Sequence, residues 1–168
     1  MSPNTHTESI KTLQLPNDQL IPELLKMIRD GHTVTLPLRG NSMRPFLEDG
    51  RDKALLKGPG FVDIGDPVLA EVAPGRYVLH RIVGNTGPHY EIIVLRGDGN
   101  LRTESCHVDN IKARVAGFYR KGSNKLDSTS GLKWRIYSWW WMRLLPLRRY
   151  LLFILYPHIP ARFKKKTR

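Results

Sequence analysis

One serine and one histidine in this sequence could together perform nucleophilic chemistry. Ser42 lies in the stretch "LRGNSMRPFLEDG", where Gly40 permits a tight turn just before it. Met43 can anchor that turn by packing inward, and Pro45 restricts the backbone that follows. A nucleophilic serine needs an exposed hydroxyl and backbone N–H groups directed at the developing oxyanion. The stretch is compatible with that role, and also with an ordinary turn serine.

A nucleophilic serine also requires a base. No lysine occurs between Lys57 and Lys112, so the region after Ser42 offers a histidine instead. In "RYVLHRIVG", the alternation of a strand places His80 on the same face as apolar neighbours. Such a histidine is either a satisfied core residue or a partly desolvated imidazole that can serve as a general base for Ser42.

Two carboxylates follow in "LRGDGNLRTE". Gly-Asp-Gly-Asn is a strong turn signal by itself, so the segment has a purely structural interpretation. In the functional interpretation, Asp98 or Glu104 orients the imidazole of His80, or Asp98 braces the backbone beneath the site. The sequence leaves these roles open.

The secondary-structure elements must position these residues, and the hydrophobic pattern along the chain changes from helical to strand periodicity. Residues 1–16 are expected to be a loose lead-in, and "NDQLIPELLKMIRDG" predicts a helix that begins after Asn17 as N-cap and ends at Gly31. Short β-branched runs separated by Gly, Pro, Asn and Asp then predict a mainly β body: "HTVTLPL", "DKALLK", "DPVLAEV", "RYVLHRIVG", "HYEIIVLRGD" and "NIKARVAGFYR". The fourth and fifth runs predict a hairpin. We therefore expect one β domain over residues 17–121, a polar linker over 122–130 and an arm over 131–168.

Charge is distributed unevenly along the chain. Residues 111–168 contain 15 Lys and Arg and one acid, whereas residues 1–110 contain 12 Lys and Arg and 14 acids. The single cysteine, Cys106, excludes a disulfide framework and a multi-cysteine zinc site. Cys106 and His107 point to opposite sides of an extended chain, which disfavours a joint catalytic or metal-binding role. No metal and no cofactor are expected.

The arm combines Trp, Tyr, Leu and Ile with basic residues in "GLKWRIYSWWWMRLLPLRRYLLFILYPHIPARFKKKTR". Prolines and Arg148-Arg149 interrupt it, and its apolar run is far shorter than the roughly 20 residues that span a bilayer. The N-terminus lacks the basic and apolar regions of a secretory signal. The composition favours an interfacial contact with an anionic membrane surface first, packing against the core or a partner second, and nucleic acid last.

Four blocks in order resemble the superfamily of signal peptidase I and LexA-like serine proteases. These are "RGNSMRPFLEDG", "IGDPVLAEV", "YVLHRIVG" and "VLRGDGN", and the resemblance covers roughly residues 33–118. A histidine in the third block is similar to the endoplasmic-reticulum and archaeal type of signal peptidase, in which histidine replaces the bacterial lysine. The resemblance implies an incomplete β-barrel-like fold, and we expect this chain to combine it with an N-terminal helix and a C-terminal helical arm.

Carried over by residue, the resemblance implies that Ser42 is the nucleophile and His80 its general base. The backbone N–H of Ser42 would contribute to the oxyanion hole. Asp98 matches the aspartate of the family's Gly-Asp segment, and Glu104 lies where the histidine type has an acidic pair. Gly40 replaces a serine that donates to the oxyanion in signal peptidases, and Asn41 could substitute for it.

The expected activity is a serine endopeptidase that cleaves a peptide or preprotein through an acyl-enzyme, with small residues before the scissile bond. Two alternatives remain. A non-catalytic relative would bind a peptide or partner in the same fold, since Gly40 lacks the hydroxyl. A LexA-like regulator would cleave itself, and Ala116-Gly117 is the only internal Ala-Gly pair.

Overall fold

The computed structural model describes residues 17–144 and 147–155. The predicted helix is present as α1, Asn17–Arg29, and it buries Ile21 and Ile28 against the sheet. Gly31, at a φ of 90°, takes the left-handed conformation that ends it. The lead-in over residues 1–16, the side chain of Asn17 and the tail after residue 155 lie outside what is described.

Eight antiparallel strands form one open sheet. The strands are β1 (Val34–Pro37), β2 (Lys53–Lys57), β3 (Pro67–Ala73), β4 (Arg76–Thr86), β5 (Ile92–Arg96), β6 (Glu104–His107), β7 (Ile111–Tyr119) and β8 (Leu126–Ser128). Their order is β1-β2-β7-β3-β4-β5-β6, and β8 pairs with β7. A 3-10 turn, Val108–Asn110, separates β6 from β7. Each of the six predicted β-branched runs contains one strand, and the mainly β prediction is confirmed.

Strand β4, which contains the candidate base His80, lies between two apolar clusters. Tyr77 and Leu79 pack on the larger cluster, which also contains α1 and the apolar residues of the Ser42 turn. Val78 and Ile82, on the opposite face, pack on the smaller one. This alternation is the one that the sequence predicts. The predicted hairpin is also present, because β4 pairs with β5 from Arg81 to Thr86.

The end of the described chain is helical, with α2 over Leu132–Arg143 and α3 over Arg148–Leu155. Trp134, Ser138 and Trp141 of α2 are buried, so one face of the predicted arm completes the core. The segment predicted as a linker contains β8, and Thr129 Oγ1 donates to the Val115 carbonyl at 2.8 Å. Across residues 17–144 and 147–155, no helix is long and apolar enough to cross a membrane.

Candidate active site

Ser42 lies in a turn between β1 and β2 that hydrogen bonds hold at both ends. The Leu38 N–H donates to the Asp52 carbonyl, and the Gly50 N–H donates to the Leu38 carbonyl, both at 3.0 Å. Gly40 adopts a φ of 86°, and its N–H donates to Asp49 Oδ1 at 2.9 Å. As predicted, Met43 is buried and anchors the turn. Pro45 follows a cis peptide bond.

Asp52 stabilises the Ser42 turn through hydrogen bonds to its buried side chain. Its side chain is completely buried and accepts hydrogen bonds from the backbone N–H groups of Glu48 and Lys121, both at 2.9 Å. Burial by itself would raise the pKa of Asp52, but the Arg51 guanidinium and these two N–H groups hold that pKa below its ordinary value. The charged carboxylate therefore ties the Ser42 turn to the end of β7.

The Gly97–Asn100 segment packs directly on the Ser42 turn. The Gly99 N–H donates to the Ser42 carbonyl at 2.7 Å. A Cβ atom at Gly97 would overlap that same carbonyl oxygen and would lie 3.0 Å from His80 Nε2. Because Gly97 has no side chain, the Ser42 turn and the His80 imidazole can both lie close to it.

His80 is 4% exposed and contacts a carboxylate on one side of its ring. Glu104 Oε2 lies 3.2 Å from Nδ1, within ion-pair distance, although the two atoms are not aligned as a hydrogen bond. Glu104 is itself held by Arg76, whose Nη1 donates to Oε1 at 2.6 Å. On the other side of the ring, Asn100 Nδ2 lies 3.5 Å from Nε2.

Burial lowers the pKa of His80 from its ordinary value of 6.5, and Arg76 acts in the same direction. The charges of Glu104 and Asp98 oppose this shift without overcoming it. The imidazole is therefore neutral at neutral pH. Because Glu104 faces Nδ1 and the Asn100 amide faces Nε2, we assign the ring proton to Nδ1, and the Nε2 lone pair then lies on the side of Asn100 and Gly97.

The two carboxylates that the sequence offers take different roles. Glu104 contacts the His80 ring, whereas Asp98 accepts two hydrogen bonds from Arg81, at 2.9 and 2.7 Å. Asp98 and Arg81 are each 1% exposed. The contacts of Asp98 with Arg81 fit the functional interpretation in which Asp98 braces the segment beneath the site, and Glu104 is the carboxylate that contacts the His80 ring.

Ser42 and His80 line one groove with a cavity volume of about 310 Å³. Its polar end also includes Asn100 and Glu104. The remaining wall is largely apolar and comes from α1, β1, the Ser42 turn, β3 and β4: Ile21, Leu36, Leu38, Met43, Leu47, Leu69, Tyr77, Val78 and Leu79. The groove therefore has largely apolar walls, with Ser42 and the neutral imidazole of His80 at its polar end.

The backbone N–H of Ser42 has no hydrogen-bond partner within residues 17–144 and 147–155, and this leaves it available to an oxyanion. The Gly40 N–H is not available, because Asp49 accepts from it. Asn41 is exposed at the edge of the turn. Ser42 Oγ makes no hydrogen bond to any described residue, so the serine and His80 share the groove without a direct bond.

Arg81 is a structural residue of the site that the sequence reasoning missed. Besides Asp98, it donates to the Gly65 carbonyl at 2.8 Å and to Ser138 Oγ at 2.5 Å, and its guanidinium lies over the Trp134 ring at 4.6 Å. A charged residue in the centre of an apolar strand was the available signal, because such a residue needs a buried partner.

The remaining candidate residues do not join this site. Cys106 is buried in β6 and the neighbouring His107 is exposed, as their alternation predicts. Burial raises the pKa of the Cys106 thiol, which makes it a poor nucleophile. In the described part of the chain, no cluster of three or more His, Cys, Asp or Glu side chains is arranged to hold a metal ion.

No protein-family model matches this chain, and no curated protein matches it in sequence.

Proposed function

We propose that this chain is a serine endopeptidase of signal-peptidase-like type, with Ser42 as nucleophile and His80 as general base. The observation that carries the proposal is the shared approach to Gly97, where a side chain would meet both the Ser42 carbonyl and His80 Nε2. Because the two residues are 38 positions apart in sequence, only the fold brings them to one groove. The resemblance described above supports the same assignment.

The geometry supports a two-step mechanism. His80 Nε2 takes the proton of Ser42 Oγ as that oxygen attacks the peptide carbonyl carbon. The Ser42 N–H stabilises the oxyanion, and the carbon–nitrogen bond breaks as the amine receives the proton from His80. Water then gives a proton to His80 and attacks the acyl-enzyme, which releases the acid and restores Ser42. The charge of Glu104 stabilises the imidazolium in both steps.

The substrate that fits this groove is an extended peptide. Strand β1 pairs only with β2, so its other edge is open within the described sheet. On the facing wall, Arg76–His80 of β4 pair with β3, while pairing to β5 begins at Arg81. A peptide between these two edges would extend the main-chain hydrogen bonding, and the apolar lining would accept its side chains. The resemblance adds small residues before the scissile bond.

Incubation of the full chain with a mixture of peptides, followed by mass spectrometry of the products, tests the proposal. We expect cleavage after small residues, reduced at least about 100-fold in Ser42→Ala and in His80→Ala. Ser105→Ala and His89→Ala remove an exposed serine and an exposed histidine elsewhere and should retain full activity. Cleavage that survives in Ser42→Ala would contradict the proposal.

One observation favours a second candidate, a groove that binds a peptide without cleaving it. Asn100 Nδ2 lies 3.5 Å from the nitrogen of His80 that would accept the serine proton, while Ser42 Oγ makes no bond to that nitrogen among the described residues. Peptide binding by the native chain, with no product over long incubation, would support this candidate.

A self-cleaving regulator is the least supported candidate. Gly117 pairs with Leu55 of β2 and with Ser128 of β8, so the Ala116-Gly117 bond lies within the sheet, between two strands. A bond in that position cannot enter the groove of its own chain unless β7 leaves the sheet.

A further inference from the structure

Helix α2 is apolar on two opposite faces, of which the protein core covers only one. Trp134, Ser138 and Trp141 form the buried face. The opposite face contains Leu132, Ile136, Trp139 and Trp140, which are 72%, 51%, 50% and 56% exposed. Positions 132, 136 and 140 follow the four-residue spacing of one helical stripe. Two adjacent tryptophans at least half exposed are unusual on a surface that contacts only water.

Further exposed apolar residues follow α2 along the chain. Leu147, Tyr150 and Ile154, in and before α3, are 54%, 67% and 71% exposed. We call these three residues, together with Leu132, Ile136, Trp139 and Trp140, the outer face. The loop before β3 adds Ile64, 48% exposed, which lines a groove with Trp139.

The segment that contains α2 and α3 has charge of one sign. Residues 131–155 contain five Lys and Arg and no acid. Arg143 lies over the Trp139 ring at 4.2 Å, which places a cation beside the exposed aromatic pair. Three acids lie nearby: Asp127 binds Lys133 and Arg120, and Asp63 and Asp66 line the groove that Ile64 and Trp139 also line. The segment that contains α2 and α3 therefore has a net positive charge, which favours an anionic partner.

We infer that the outer face binds the surface of an anionic phospholipid bilayer, with α2 lying in the plane of the interface. Trp and Tyr rings favour the headgroup region, aliphatic side chains enter the acyl boundary, and arginines meet lipid phosphates. Nucleic acid fits this surface less well, because Leu132, Ile136 and Ile154 offer bases no ring on which to stack. The inference does not depend on peptidase activity.

Flotation of the full chain with vesicles tests the inference. Vesicles of phosphatidylcholine alone are compared with vesicles that contain about one third phosphatidylglycerol, at low and high salt. We expect binding to anionic vesicles that is stronger than to neutral ones and weakens with salt. The variant Trp139→Gln/Trp140→Gln should bind at least about tenfold more weakly. Tyr90→Gln, which removes a more exposed ring in the β4–β5 hairpin, should bind as the native chain does.

A second measurement distinguishes membrane binding by the outer face from membrane binding by the basic residues 162–168. Vesicles with brominated acyl chains should quench tryptophan fluorescence in the native chain, and Trp139→Phe/Trp140→Phe should lose most of that quenching. Circular dichroism checks that each variant is folded. Equal binding of the native chain and the Gln variant would overturn the inference. Preferential binding to single-stranded or duplex nucleic acid at the same salt concentration would also overturn it.

Discussion

Arg81 and Asp98 form a bidentate ion pair in which both side chains are 1% exposed. Arg81 follows the candidate base His80 on β4, and Asp98 lies between Gly97 and Gly99, which contact the carbonyl of Ser42. The ion pair therefore links β4, which contains the candidate base His80, to the Gly97–Asn100 segment, which packs on the Ser42 turn. Helix α2 closes over it through Ser138 and Trp134.

Asp98→Asn should strongly destabilise the fold, because it leaves the charge of Arg81 buried without its partner. We expect a loss of about 3–5 kcal/mol in the free energy of unfolding, measured by urea denaturation. Lys133→Met removes a cation from an exposed pair with Asp127 and should cost less than about 1 kcal/mol. Equal costs for the two variants would show that the buried pair does not hold the site together.

Gly97→Ala should disrupt the site by steric overlap. Its Cβ would collide with the Ser42 carbonyl and approach Asn100 Nδ2 to 2.9 Å. We expect a loss of about 1–3 kcal/mol in stability and a large loss of the proposed peptidase activity. Gly84→Ala is the matched control, because a Cβ there meets nothing within 4 Å. Full activity in Gly97→Ala would mean that the close approach of the two segments is not needed.

His80 should make stability depend on pH below neutrality. Burial lowers its pKa in the folded state from 6.5, so the unfolded chain binds the proton more readily. Stability should therefore fall as the pH drops below about 6.5, until the folded-state pKa is passed. Urea denaturation between pH 7.5 and 5 should show a smaller decline for His80→Gln than for the native chain. The exposed-histidine variant His89→Gln should follow the native chain, and a His80→Gln profile that does the same would contradict the assignment.

Glu104→Gln should reduce kcat at least about tenfold and change KM little, because in the proposed mechanism Glu104 orients His80 and stabilises its charged form from the polar end of the groove. Its negative charge opposes the lowering of the His80 pKa. The acidic limb of the profile of kcat/KM should therefore move to lower pH in the variant. Glu23→Gln, on the exposed face of α1, should change neither quantity. An unmoved acidic limb would remove Glu104 from the mechanism.

The periodic parts of the sequence predicted the fold well. Alternating β-branched runs identified six strands, and the apolar face of residues 17–29 identified α1. Strands β6 and β8 were missed because "ESCH" and "LDS" are short and mostly polar, and they become strands only by pairing with β5 and β7. Helix α2 is apolar on both sides, so its sequence could not show which face the core covers.

The sequence identified the candidate residues of the site, but it could not predict which groups their side chains contact. Ser42, His80, Asp98 and Glu104 could each be identified from local motifs. The choice between Asp98 and Glu104 depends on where each side chain points after a glycine-rich turn, and no periodic pattern determines that direction. The partners of Arg81 are distant in sequence, since Ser138 lies 57 residues away, so local spacing could not reveal them.

Localisation of a covalent adduct tests the central claim most directly. The full chain is treated with a serine-reactive acylating probe, and the modified residue is identified by tandem mass spectrometry of its peptides. The Ser42/His80 assignment predicts one adduct on Ser42, which Ser42→Ala and His80→Ala lose and Ser105→Ala keeps. Labelling of another residue, or labelling of Ser42 that is undiminished in His80→Ala, would contradict it.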